Sequence, residues 1–173
     1  MEFKVNYPEV GATRTGPLPD GYRHLVRTIE LDAPLQEAAE LVMTWGLQER
    51  CGLHPKSAAE RAAPGVEFTL HYLGMRLPPW RRMLAIELPC QVVWAEETPE
   101  RVGFGYGTMP GHQERGEAAF LLEAADGRTR FTVRSFSVPG TLLSNLGKPV
   151  VRWLQARATD RYAAVMRDIC GRS

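Results

Sequence analysis

Gly103-Phe-Gly-Tyr-Gly-Thr-Met-Pro-Gly-His-Gln-Glu-Arg-Gly-Glu-Ala-Ala-Phe120 reads as two strands joined by a turn. Glycine alternates with Phe104 and Tyr106 in the first half, so one face of that strand is bare and the other aromatic. A bare face lets a sheet bend sharply, or lets another backbone or a ligand come close. Periodicity leaves open which face looks inward. The GxGxG spacing lacks the strand–turn–helix context of a dinucleotide fingerprint, because another strand follows it. The return strand carries His112, Glu114 and Glu117 near the turn, the densest group of titratable side chains beside a plausible cleft.

More strands surround this stretch. Val66–Tyr72, Leu84–Leu88 and Gln91–Glu96 precede it, the last two separated by Pro89, and Thr98–Arg101 is a turn by composition. Glu117–Glu123 and Thr129–Ser137 are joined by Ala124-Ala-Asp-Gly-Arg128, and Asp-Gly is a strong hairpin signal. Short connections between consecutive strands predict an antiparallel sheet. Leu77–Arg82 breaks the pattern and reads as a loop.

Toward the N-terminus, residues 23–31 alternate as a strand with Leu25, Arg27, Ile29 and Leu31 on one face. Asp32 is placed to cap a helix with Pro34 in its first turn, and Leu35, Ala38, Ala39, Val42 and Trp45 recur at helical spacing. Gly46 can end that helix. A short further helical turn is expected before Pro55. Residues 1–22 hold too many prolines and glycines for a regular element, and read as an arm laid over the body. Its Tyr7, Tyr22 and Arg14 could instead close one end of a pocket.

At the other end, residues 140–170 are dominated by a helix. Pro149 suits its first turn, and Val150, Leu154, Ala158, Tyr162, Val165 and Ile169 line one stripe, widened by Trp153 and Met166. A solvated face accounts for its arginines.

Strand, helix, antiparallel run, then a long amphipathic helix is an α+β order. It resembles the helix-grip fold of the START-like (SRPBCC) superfamily, in which a curved antiparallel sheet wraps around a long C-terminal helix and encloses an apolar cavity. Tyr7-Pro-Glu-Val-Gly-Ala-Thr-Arg14, Leu18–Arg23, Gly103–His112 continuing to Glu117, and Phe136–Pro139 together resemble the blocks of one family, domain of unknown function 1990 (DUF1990, UPF0548-type). Where that family's central block often carries a second carboxylate, this chain has Ala118. The resemblance implies a fold and brings no reaction with it.

The 173 residues suit a single domain, 1–173, and 44% hydrophobic with 24% charged residues is an ordinary globular balance. A formal net charge of +1 argues for neither nucleic acid nor an anionic membrane. No apolar run is long enough for a membrane span, and the first residues lack the regions of a signal peptide. Cys51, Cys90 and Cys170 are odd in number and far apart, which suggests reduced thiols in a cytoplasmic protein. No ligand spacing points to a metal, and no cofactor is expected.

These readings converge on a protein that binds a small, mostly apolar ligand between sheet and C-terminal helix. Trp45, Trp94, Phe104, Tyr106, Phe120 and Trp153 would form the apolar wall, with His112, Glu117 and Arg134 as polar anchors. The alternative is an enzyme of the cyclase or hydrolase type using His112 and Glu114 or Glu117 as acid and base. A third reading is an interaction module with a filled core. A structural role for the trio is also open, in which the loop satisfies its own backbone and Glu117 pairs with Arg115 or Arg134. Neither the ligand's identity nor the oligomeric state can be read from the sequence.

Overall fold

A computed structural model describes the backbone of residues 2–73, 85–140 and 148–170, and the side chains of 2–71, 87–140 and 159–170. The expected loop at 77–82 and the side chains of Trp153 and Leu154 lie outside the described residues. The elements are β1 (Arg23–Leu31), α1 (Leu35–Met43), α2 (Gly46–Arg50), β2 (Leu53–Ser57), β3 (Glu67–Leu73), β4 (Ala85–Glu97), β5 (Arg101–Thr108), β6 (Glu114–Ala125), β7 (Arg128–Pro139) and α3 (Lys148–Cys170).

The strands form one seven-stranded sheet in the order β1-β7-β6-β5-β4-β3-β2, antiparallel throughout. It is the expected α+β helix-grip arrangement, with the sheet curved around α3. The β6–β7 hairpin turns at Asp126 (φ 48°) and Gly127 (φ 78°), two left-handed residues in a row, which matches the twist of the strands they join.

Alternation sorts side chains onto two faces. On the concave face Ile29, Phe131, Leu122 and Val102 form one cross-strand row, and Val133, Phe120 and Phe104 the next; all are buried. Tyr162 of α3 meets Phe120 edge-on, with ring centres 4.8 Å apart. The buried stripe of α3 is Thr159, Tyr162, Ala163, Met166 and Cys170, while Val165 and Ile169 sit at its margin. The helix is therefore rotated from the expected phase, which had centred Val165 and Ile169.

Four local expectations are corrected. Pro89 does not divide two strands, because the β5 ladder begins only at Cys90 and the proline needs no partner there. Pro55 lies within β2, an edge strand where a missing N–H is tolerated. Asp32 does not cap α1; it pairs with Arg128 at 3.4 Å, and Pro34 takes the cap position without a side-chain bond. Finally, α1 ends before Gly46, and the left-handed residue between the helices is Trp45 (φ 67°). Such a conformation is strained for a bulky residue. The indole N–H bonded to Ala59 O at 2.9 Å, and packing against Phe68 and Phe104, hold it.

Candidate functional site

The convex face carries a buried clasp. Glu117 of β6 is 2% exposed, and its two oxygens accept from four donors of the N-terminal arm. Tyr7 OH (2.6 Å) and Gly11 N–H (2.7 Å) reach Oε2, whereas Thr13 N–H (2.9 Å) and the Thr13 hydroxyl reach Oε1. The indole N–H of Trp94 then donates to Thr13 Oγ1 at 3.0 Å. Backbone donors converge on one carboxylate here because Gly11 (φ 85°) lets the arm turn over it.

The alternating glycines explain themselves at this face. A Cβ on Gly105 would collide with the Trp94 indole and lie 2.9 Å from Thr13 Oγ1, and one on Gly107 would collide with the Tyr7 hydroxyl. Their bare side is filled by the arm. Trp94 reaches this face through a register shift between Val92 and Trp94: Val92 joins the concave core, while Val93 and Trp94 pack with Ala119 and Leu121 beneath Phe3 and Val5. Arg134 lies on the same side, donating to Gly16 O at 2.7 Å. Tyr22 bonds Glu9 at 2.6 Å and stacks edge-on against Phe136, so the arm's tyrosines and Arg14 serve its docking.

His112 sits in the turn between β5 and β6. Its Nδ1 accepts from the Glu114 N–H at 2.9 Å, so the neutral ring keeps its proton on Nε2. Burial lowers its pKa from 6.5 to about 4. Glu114 approaches Arg23 at 3.7 Å. The turn thus satisfies its own backbone. Glu117 takes its partners from the arm rather than from Arg115 or Arg134.

The concave face is closed at one end and open at the other. Beyond the buried Val133–Phe120–Phe104 row, the next row is Leu25, Ser135, Ala118 and Tyr106, paired across four strands, and every one of these is only half-buried. Tyr106 is nonetheless deep in the molecule: burial drives its phenol pKa well above the usual 10.0. A side chain that is deep yet accessible borders a recess.

The structure thus divides the sequence-derived wall. Trp45, Phe104, Tyr106 and Phe120 share the concave side; Trp94, Glu117 and Arg134 belong to the convex side. Among the described residues no group of three or more His, Cys, Asp or Glu is arranged to hold a metal, and no helix is long and apolar enough to cross a membrane.

A curved antiparallel sheet gripping a long terminal helix, with a half-open concave face, defines a START-like helix-grip protein. Two solved structures share this architecture at 12% identity: the crystal structure of Ara h 8.0201 (TM-score 0.60, covering 88% of this chain and 100% of that one) and a protein of Thermus thermophilus (TM-score 0.63, 86% and 97%). The family described as Domain of unknown function (DUF1990) matches residues 6–165, and the chain belongs to it. A UPF0548 protein of Deinococcus radiodurans is 32% identical over 177 residues, covering 98% of this chain and 89% of the relative.

Sequence reasoning chose Glu117 but not its partners, which lie more than 100 residues away in the arm. The available signal was the Tyr7–Arg14 block, a polar, glycine-containing stretch with no periodicity of its own. Tyr162 was read as an ordinary stripe residue, and Gln48 gave no signal at all.

Proposed function

We propose that the protein binds a small, mostly apolar ligand on the concave side of the sheet, bordered by α3, and acts as a binding protein rather than a catalyst. One observation carries the reading: the Leu25–Ser135–Ala118–Tyr106 row is half-buried in the middle of a sheet whose next two rows are closed. A mid-sheet row left open beside a packed aromatic core offers apolar contact and access together. The likeness to helix-grip structures supports the same location. The three cysteines are free thiols, which fits a cytoplasmic protein.

The acid/base alternative finds less support. Both oxygens of Glu117 are committed to the arm, and Nδ1 of His112 is committed to Glu114, so neither presents a free lone pair to a substrate in this arrangement. Native mass spectrometry of the purified protein tests the binding reading, together with titration of an apolar fluorescent probe. Ala118→Trp places a large ring in the open row and should abolish probe binding while the chain stays folded. Unchanged binding by a folded Ala118→Trp variant would move the site elsewhere.

A further inference from the structure

Gln48 is the side chain that folding alone does not explain. It lies on α2, is 1% exposed, and neither its amide nitrogen nor its amide oxygen meets a partner. Buried amides in native proteins are almost always paired, and each exception asks for a reason. A leucine would fill such a place without that penalty.

Its surroundings supply a reason. Cys51 follows Gln48 by three residues, on the same side of the short helix, and the Cys51 N–H bonds to Gln48 O at 3.1 Å. Tyr162 of α3 is near enough to Tyr106, Cys51 and Cys90 for their charges to act on it. Among the described residues neither phenol has a hydrogen-bond partner; their pKa values rise through burial and neighbouring charges. Tyr106 also borders the open row. Unpaired hydrogen-bonding groups on α2, α3 and β5 therefore gather on the concave side. The nearest cation is Arg161, whose Nη2 would be 3.5 Å from a Cβ on Gly52 and whose side chain is exposed.

We propose that the Gln48 amide, with the Tyr106 and Tyr162 hydroxyls, is the polar end of the ligand site, and that it selects an apolar ligand bearing a neutral group that both donates and accepts hydrogen bonds, such as a carboxamide. This rests on the binding reading above and specifies it. An amide side chain offers one acceptor and two donors, so a ligand carboxamide can complete both of its unmet halves at once. A carboxylate can satisfy only the donors and must also enter a dry interior as a charge.

The test compares naphthalene, 2-naphthamide and 2-naphthoate by calorimetric titration of the full chain. Wild type should bind 2-naphthamide about tenfold more tightly than naphthalene, and 2-naphthoate more weakly than 2-naphthamide. Gln48→Leu should erase the preference for the amide, leave naphthalene affinity unchanged and raise the unfolding midpoint. Tyr162→Phe should shrink the preference in the same direction, and it carries the test if Gln48→Leu fails to fold. Equal binding of naphthalene and 2-naphthamide by wild type, or an amide preference that survives in Gln48→Leu, overturns this inference and leaves the binding reading standing. A Gln48→Leu variant with a lowered midpoint would make Gln48 structural and overturn it too. Tighter binding of 2-naphthoate would reassign the polar end to a cation. If wild type binds none of the three compounds, the binding reading itself fails, and this inference with it.

Discussion

Glu117 shows how much one residue organises. A buried carboxylate is tolerated only where donors surround it, and here two hydroxyls and two backbone N–H groups do so. Glu117→Gln keeps the shape but turns an NH2 group toward donors. Hydrogen bonds to charged groups contribute about 1.5–3 kcal/mol, and a loss of that order is expected in chemical denaturation, with faster proteolysis inside residues 2–22. Midpoints and cleavage rates equal to wild type would show that the clasp contributes nothing. His112 makes a pH prediction. Its folded pKa, about 4, lies below the ordinary 6.5 because of burial. Between those values the unfolded chain takes up a proton that the folded chain refuses. Its contribution to stability is therefore complete above about pH 6.5, declines as the pH falls, and levels off below about 4. His112→Asn, whose Oδ1 can replace Nδ1 as acceptor, should flatten the fall of the unfolding midpoint between those limits. A slope identical to wild type would exclude His112 as its source.

The arm and the glycine strand are one device at the scale of elements. The arm has no ladder or helix of its own and stays ordered by what it covers. Removing residues 2–16 would strip cover from Val93, Trp94, Ala119 and Leu121, an apolar cluster packed with Phe3 and Val5. The truncated chain should therefore melt lower and bind an apolar dye on its convex face; a truncated chain with wild-type melting would mean the arm is a passive tail. Gly105→Ala acts on the same contact from below. Its methyl group collides with the Trp94 ring, and overpacking of this kind costs about 1–3 kcal/mol. Naphthalene affinity should survive the change, since the bare face looks away from the recess. The expectation that these glycines could open a pocket gives way here to a docking role. The register shift that delivers Trp94 to the convex face is a tertiary choice, since simple alternation from Val92 would have pointed Trp94 inward.

For the whole molecule, Phe120 is the point where sheet and terminal helix meet. It is 1% exposed and packs against Phe104, Phe131 and Tyr162. Phe120→Ala should cost about 3–5 kcal/mol, read as a lower denaturation midpoint, because the stacked rings around it cannot collapse into the void. A smaller loss would mean that α3 shifts to fill the space. The sheet itself is assembled from distant partners. β1 pairs with β7 across the length of the chain, Arg23 opposite Ser137, and so the first strand docks only after the last has formed. Topology of this kind predicts slow folding relative to a helical protein of equal length.

What the sequence determined by itself was everything governed by local period and local turn chemistry. The two-residue alternation of β1 and β3–β7, the Asp126–Gly127 turn, the helical spacing of α1 and the existence of α3 all follow from neighbours within a few positions. Their order is enough to specify an antiparallel α+β fold. The tertiary structure decided which face each strand presents, because one register shift at Val92/Trp94 is invisible to alternation and reverses the side on which Trp94 lies. It also decided the rotation of α3, whose apolar side chains are spread widely enough to allow more than one buried stripe. The partners of Glu117 and the isolation of Gln48 were decided there too. Both depend on atoms brought together from remote parts of the chain, and no local pattern encodes whether a buried polar group will find a partner.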